Sequence, residues 1–387
     1  MRRDVRSVLR AGYPLLKVRQ GMPRHHHRAA WAILACRTPA MGGRVERCPN
    51  GHHDAVRFNS CRHRSCPRCA YRSVESWLDA KEKMLLGVDH FHVIFTVPSE
   101  LRPLFEWNGR VLSDLLFEVV KATLFEFLED PKHLGARPGI LAALHTWSRT
   151  LVLHPHIHCL VSAGGVTPDG RWKPVKNGYL VPVEAVKVVY KGKLLDGIEK
   201  LLRGNRLRLP GGWNLGHAIG ALRACARKKW NVRVEDRYEH GLGVATYLAR
   251  CMRGGPIKSS RLVACDADGV VFRYGRSGSD RGRSRNATMR LPLEQFARRW
   301  FRHVPEKGQR VIRSWGLYHH SHRERLEACR AQCDEDPRKK RRKRRPALER
   351  RCPVCRCLLV DGPMVPPDWP QAPIPTSHSP PAIEVSP

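Results

Sequence analysis

Two histidines one residue apart, His156 and His158, stand in the apolar run from Leu151 to Val161. In an extended strand, residues i and i+2 share a face with Cα atoms about 7 Å apart. The two imidazoles can therefore meet on one divalent ion, and such an ion beside a nucleophile polarises a phosphodiester. The spacing alone is weak, because short pairs arise by chance among 20 histidines. His90-Phe91-His92 repeats it on another predicted strand. Either pair also fits polar residues on a half-exposed strand face. His154 shares the face of His156, but Pro155 disturbs the strand there, and spacing names no third ligand.

Cysteines supply a second chemistry. Cys48 precedes the stretch Cys61-Arg62-His63-Arg64-Ser65-Cys66-Pro67-Arg68-Cys69. Thiolates at knuckle spacing suit tetrahedral zinc, and a small loop-rich module needs such an ion in place of a core. Cys48, Cys61, Cys66 and Cys69 make one full site, with His52 and His63 as rival ligands. Arg57, Arg62, Arg64, Arg68 and Arg72 between them suit a phosphate backbone. Cys352-Pro353-Val354-Cys355-Arg356-Cys357 is a further knuckle without an obvious matching half.

Tyr247 is the remaining reactive candidate. Val244, Tyr247, Leu248, Cys251 and Met252 follow the spacing of a buried helix face. The periodicity favours a core aromatic, with a phenolate nucleophile as the functional alternative.

These residues sit in a chain of 387 amino acids, 42% of them hydrophobic, enough for two or three domains. Lys and Arg number 70 against 35 Asp and Glu, a formal charge of +35. DNA or RNA is the expected partner of such an excess. The segment 337–351 holds ten basic residues and one Glu, so most of the charge belongs to the folded body. No apolar stretch is long enough for a membrane span, and no apolar signal segment follows Met1. The expectation is a cytoplasmic, nucleoid-associated protein whose 14 cysteines are metal ligands or core thiols.

The elements that must position the site are legible in part. Residues 12–36 carry helix-like spacing, and the Cys-rich stretch to 75 has little strand signal. Strands are predicted at 90–97 and 151–163. Helices are predicted at 111–128, 219–230, 243–253 and 292–302. A hairpin is predicted around Asp266-Ala267-Asp268-Gly269. Residues 166–215 read as mixed, with Gly and Pro turns. Beyond 320 the chain turns charged, then basic, and ends in a Pro-rich tail expected to be disordered.

Several stretches together resemble the rolling-circle transposases of insertion-sequence class ninety-one, in the HUH-tyrosine superfamily. They are Leu34-Ala35-Cys36-Arg37-Thr38-Pro39-Ala40, the Cys61–Cys69 signature, Phe91–Pro98, Leu144-His145-Thr146-Trp147 followed by His154–Cys159, Tyr247-Leu248-Ala249-Arg250, Arg302–Gly308 and Trp315–Tyr318. The resemblance covers about residues 25 to 320. It implies an α+β fold: an antiparallel-sheet HUH endonuclease core with helices in 85–320, a helical lead-in and zinc-binding domain in 1–80, and a basic tail in 321–387. It implies that His156 and His158 hold Mg²⁺ or Mn²⁺, that His90 and His92 lack that role, and that Tyr247 is the nucleophile. The implied activity is cleavage and rejoining of single-stranded or hairpin DNA at element ends through a 5′-phosphotyrosine. The chain departs from the family at Cys251, where a second tyrosine often stands, so a single-tyrosine scheme is expected. It also has Gly51 where relatives have Cys, with His52 as the substitute, and Ser148-Arg149 where relatives carry Gly-Gln. Alternatives are a zinc-dependent DNA-binding protein without catalysis and a replication initiator or relaxase of the same chemistry.

Overall fold

The protein is described from a computed structural model, which places residues 2–19, 22–176, 178–238, 245–246, 248–249, 254–275, 287–333 and 349–367. Two helices, α1 (Val5–Arg19) and α2 (Arg24–Ala35), lead into strands β1 (Gly43–Arg47) and β2 (Asp54–Phe58) and helix α3 (Ala70–Glu82). Then come β3 (His90–Thr96), α4 (Arg102–Trp107), α5 (Gly109–Glu129), β4 (Arg137–Trp147), β5 (Leu153–Val166) and β6 (Trp172–Pro174). Helices α6 (Val183–Arg203) and α7 (Leu215–Arg227) precede β7 (Val232–Tyr238), β8 (Leu262–Cys265), β9 (Gly269–Arg273) and β10 (Thr288–Pro292). Helix α8 (Leu293–Phe301), β11 (Ile312–Gly316), α9 (Arg323–Gln332) and β12 (Val360–Val365) complete the order.

The main sheet runs β11-β4-β5-β3-β7, with β6 also on β5, and every pairing is antiparallel. β5 is central because Ile157, Cys159 and Val161 on one face and Leu160 and Ser162 on the other are all fully buried. Helices α4 and α5 pack on β4 and β5, and α6 packs on α5. The buried row Leu112, Leu116, Val120, Leu124 and Leu128 faces the core at four-residue spacing. Each such side chain contributes about 1.5–3 kcal/mol by leaving water.

The expected strand at 90–97, the helix at 111–128 and the hairpin at 266–269 are all present. Asp266 Oδ1 accepts the backbone N–H of Asp268 (3.0 Å) and Gly269 (2.9 Å), which sets that turn. Helix α7 starts earlier than expected because the Asn214 side chain caps it, accepting the His217 N–H at 2.9 Å. The largest departure is α6, in a stretch read as turns. Its buried residues Val186, Tyr190, Leu194, Ile198 and Leu202 recur every four positions. Gly192 and Gly197 masked that period. At Gly197 a Cβ would lie 2.7 Å from Leu115 Cδ1, so the glycine permits close helix approach.

The expected three-part division needs two corrections. First, α1 and α2 share a second core with β8–β10 and α8, through Val5, Val8, Leu9, Ile33, Phe272, Phe296 and Trp300. A 15-residue and a 12-residue helix have no core of their own, so they borrow one from residues far along the chain. Second, 321–387 is not simply a tail. α9 buries Leu326 and Cys329 in the main core, and β12 pairs antiparallel with β1, Gly43 opposite Val365 and Arg47 opposite Val360. The basic run Arg338–Arg345 and the end from 368 lie outside the described residues. Among the described residues no helix is long and apolar enough to cross a membrane.

Candidate functional site

His156 and His158 lie on one face of β5, and the register sets His145 of β4 directly opposite His156. Opposed residues of adjacent strands share a face, so three imidazoles converge. One ring nitrogen from each lies within 4.8 Å of the others, and the His145 and His158 ring centroids are 4.3 Å apart. His145 is the third candidate ligand that spacing could not name. It sits one strand away from the pair, visible only once β4 and β5 are in register.

The surroundings fix the rings. His156 Nδ1 is 2.6 Å from its own strand's His154 carbonyl and so donates to it, leaving the lone pair on Nε2. His158 Nδ1 is 2.8 Å from His92 Nε2. Outer hydrogen bonds of this kind orient metal-binding histidines. His145 stacks on Trp147, with centroids 5.0 Å apart and planes at 14°. The rival pair on β3 thus splits. His92 supports His158, while His90 Nε2 meets the Tyr318 hydroxyl at 2.5 Å and its Nδ1 meets the Val88 carbonyl at 2.8 Å.

The β4–β5 hairpin that sets this register is clamped from the second core. His303 Nε2 donates to Leu151 O (3.1 Å), so its Nδ1 accepts from the Thr146 hydroxyl (3.1 Å). Arg299 and Arg261 donate to the carbonyls of Thr150 (3.0 Å) and Arg149 (2.8 Å). Ser148 Oγ accepts the Thr150 and Val152 N–H groups (3.3 and 3.2 Å), and Arg149 donates to Gly275 O (3.0 Å). Ser148 and Arg149 therefore build the turn.

Burial keeps these imidazoles neutral, the form that binds metal. It pulls His156 down to about 4, and His92 and His303 to about 4 as well. His145 and His158 lie far below the ordinary value, through burial first and neighbouring imidazoles second. The sign of the linkage follows. Above pH about 6.5, folded and unfolded chains both carry neutral rings. As pH falls toward 4 the unfolded chain takes up protons that the folded sites refuse, so stability is lost across that window. The melting temperature of metal-free protein is expected to fall steadily from pH 6.5 to 4. A melting temperature unchanged between pH 7 and pH 5 would contradict neutral buried rings.

The cysteines sort differently from expectation. Cys61, Cys66 and Cys69 do come together, but their fourth partner is Cys36, not Cys48. Cys36 Sγ is 3.5 Å from Cys69 Sγ, and Cys61 Sγ is 3.8 Å from Cys69 Sγ, near the roughly 3.8 Å edge of a zinc–thiolate tetrahedron. Cys36 follows the end of α2, and that helix delivers it to the knuckle. His63 Nδ1 accepts the Ser65 N–H at 3.2 Å and is not among the four donors. Hydrogen bonds from Cys61 and Cys66 lower the Cys36 thiol below its ordinary value. Cys48 and His52 lie instead with Cys352 and Cys355. Of the arginines expected on phosphate, Arg57 pairs with the buried Glu46 (2.9 Å) and Arg68 donates to Cys36 O (3.3 Å). Cys36→Ser is expected to lose the ion of this cluster and to loosen residues 36–69, because metal binding there is coupled to folding. Bound zinc and protease sensitivity of residues 36–69 would measure it.

A cavity of about 610 Å³ is lined from β4 and β5 by Leu144, Thr146, Trp147, Leu153 and Pro155. Arg64, Arg110, Arg208, Arg298 and Arg302 line it with Trp107 and Phe105. His145, His156 and His158 do not line it, but Trp147, stacked on His145, does. Trp172 and Trp213 pack against the main core. Tyr247 and Cys251 lie outside the described residues; beside Tyr247, Ala245, Leu248 and Ala249 are buried in the main core.

The chain matches two family models, a transposase zinc-binding domain over residues 8–97 and a putative transposase over residues 139–325. It is 35% identical over 309 residues to the putative transposase y4qJ of Sinorhizobium fredii, spanning 78% of this chain and 77% of that one. It is 29% identical over 296 residues to the transposase for insertion sequence element IS801 of Pseudomonas savastanoi pv. phaseolicola, spanning 74% and 68%. A solved conjugative relaxase, TrwC in complex with OriT DNA in its metal-free structure, aligns at 15% identity over 42% of this chain and 71% of that one. Its TM-score of 0.24 is too low to carry an argument. The chain belongs to the insertion-sequence transposase family defined by these relatives and by the class ninety-one zinc-binding domain. The first thiolate cluster falls inside the zinc-binding match, and His145, His156, His158 and Tyr247 all fall inside the transposase match.

Proposed function

We propose that this transposase nicks and rejoins one DNA strand, with Tyr247 as nucleophile and His145, His156 and His158 as the holders of a divalent cation. The observation that carries the reading is the convergence of three neutral imidazoles from two hydrogen-bonded strands. Three nitrogens without a carboxylate in the group fit manganese better than magnesium. A bound cation supplies charge neutralisation at the phosphate under attack.

The protein's own part is then nucleophile and positioning. The Tyr247 phenolate oxygen attacks phosphorus and the bond to the 3′ oxygen breaks, giving a 5′-phosphotyrosine and, after protonation, a 3′-hydroxyl. The energy of the phosphodiester stays in the phosphotyrosine bond. A later 3′-hydroxyl can attack it, releasing the tyrosine and sealing the strand without ATP. With Cys251 four residues after Tyr247 in the sequence, one tyrosine serves both strand transfers. The net charge of +35 and the arginine-lined cavity favour a DNA strand held by its phosphates.

The test is a labelled single-stranded oligonucleotide carrying the element end, incubated with the protein and Mn²⁺ and run on a denaturing gel. A covalent protein–DNA adduct is expected. Tight binding with no adduct and no cleavage would leave a zinc-dependent DNA-binding protein. Flanking element ends, as against a plasmid origin, separate transposition from replication initiation.

A further inference from the structure

The second thiol group joins the two ends of the chain. Cys48 and His52 follow β1, whereas Cys352 and Cys355 lie some three hundred residues later, just before β12. One donor atom from each lies within 4.8 Å of the other three. Cys48 Sγ is 3.4 Å from Cys355 Sγ and 3.9 Å from His52 Nδ1. The zinc-binding family match ends at residue 97 and leaves Cys352 and Cys355 outside it.

The backbone around these donors is built for an ion. Cys48-Pro49-Asn50-Gly51 closes with the Gly51 N–H on Cys48 O (2.9 Å), and Gly51 takes φ +70°. Cys352-Pro353-Val354-Cys355 turns the same way, with the Val354 N–H on Cys352 Sγ (3.4 Å) and the Arg356 N–H on Cys352 O (3.0 Å). The Asn50 amide reaches Cys355 Sγ at 3.7 Å. Around this group, Glu46 is buried between Arg57 and Arg350, and Arg44 pairs with Asp361 at 2.9 Å.

We propose that Cys48, His52, Cys352 and Cys355 bind a second structural zinc ion that locks the C-terminal segment onto the zinc-binding domain. Three thiolates and one imidazole are a common closed zinc set. Cys357 is a fifth candidate, 3.4 Å from Cys48 Sγ but only 3.0 Å from Cys355 Sγ. That last separation is well short of the roughly 3.8 Å edge of a zinc–thiolate tetrahedron, so Cys355 and Cys357 do not share the ion and His52 takes the fourth position. The six-residue β12 on the five-residue β1 is by itself a weak anchor, since short isolated strand pairs are marginal in water. The ion supplies what the small β12-β1-β2 sheet lacks. It also closes a loop of some three hundred residues, a constraint whose value grows with loop length.

The experiment uses wild-type full-length protein first. Native protein is alkylated, digested and mapped by mass spectrometry, with and without prior chelation of zinc. Cys48, Cys352 and Cys355 are expected to resist labelling while zinc is present and to react after chelation, with Cys357 labelled in both. Rapid labelling of Cys352 and Cys355 in zinc-replete protein would overturn the site, and Cys355 is accessible enough to react if it is free. In variants, Cys352→Ser with Cys355→Ser should bind one zinc fewer per chain than wild type. Cys36→Ser should lose a different one, and the two losses should add. Unchanged zinc content in the double variant would also overturn the site. Retention of the ion in His52→Asn, with its loss in Cys357→Ser, would overturn the place given to His52.

Discussion

Tyr247→Phe is expected to abolish the covalent protein–DNA adduct and strand cleavage together, by about 10⁴-fold or more, while leaving DNA binding within about twofold. Phenylalanine keeps the aromatic ring and removes only the oxygen that forms the bond to phosphorus. The flanking Ala245, Leu248 and Ala249 are buried in the main core, so a larger change at position 247 would confound chemistry with folding. Cys251→Tyr is the matching control. If one tyrosine serves both transfers, restoring a second should not rescue Tyr247→Phe. An adduct that persists in Tyr247→Phe would remove the nucleophile from this reading and open the search to another side chain. An adduct that disappears, with affinity and melting temperature unchanged, assigns the chemistry to the hydroxyl. The readout is the adduct on a denaturing gel beside a binding isotherm at fixed salt, because affinity for DNA is steeply salt-dependent.

Local pattern made β3, α5 and the β8–β9 hairpin legible, since each follows its own period or turn chemistry. Helix α6 was hidden although its buried residues recur every four positions, because the glycines and prolines of 166–215 made that stretch read as mixed, with turns. What failed more deeply was anything set by pairing between distant segments. His145 stands in a Leu-His-Thr-Trp stretch and becomes a candidate ligand only because the β4–β5 register places it opposite His156. His92 looked like half of a rival pair and instead supports His158. Cys48 has the right residue type and the right neighbourhood, yet Cys36 takes the place expected for it. A zinc ligand set depends on which thiols the fold brings together, and β12 pairing with β1 carries Cys352 and Cys355 to Cys48. Spacing along the chain holds no trace of that pairing.

His145→Ala against His92→Ala is the second large contrast. His145 offers a ring nitrogen to the same point as His156 and His158. Its removal should leave two ligands on one strand and reduce metal affinity well beyond about 100-fold. His92 touches the group through His158 Nδ1 at 2.8 Å, and losses of about 10- to 100-fold are usual for such supporting partners. Cleavage by His92→Ala should therefore recover when Mn²⁺ is raised in proportion, and cleavage by His145→Ala should not. Titration of Mn²⁺ by calorimetry, with cleavage measured on the same oligonucleotide at each concentration, separates the two. The substitution at His145 also removes the ring stacked on Trp147, so a melting curve must accompany it. His145→Gln keeps a polar side chain in that space while withdrawing the imidazole donor. Equal metal affinity in His145→Gln and wild type would exclude His145 from the ligand set. It would leave His156 and His158, the two histidines one residue apart, needing a third partner from elsewhere on the sheet.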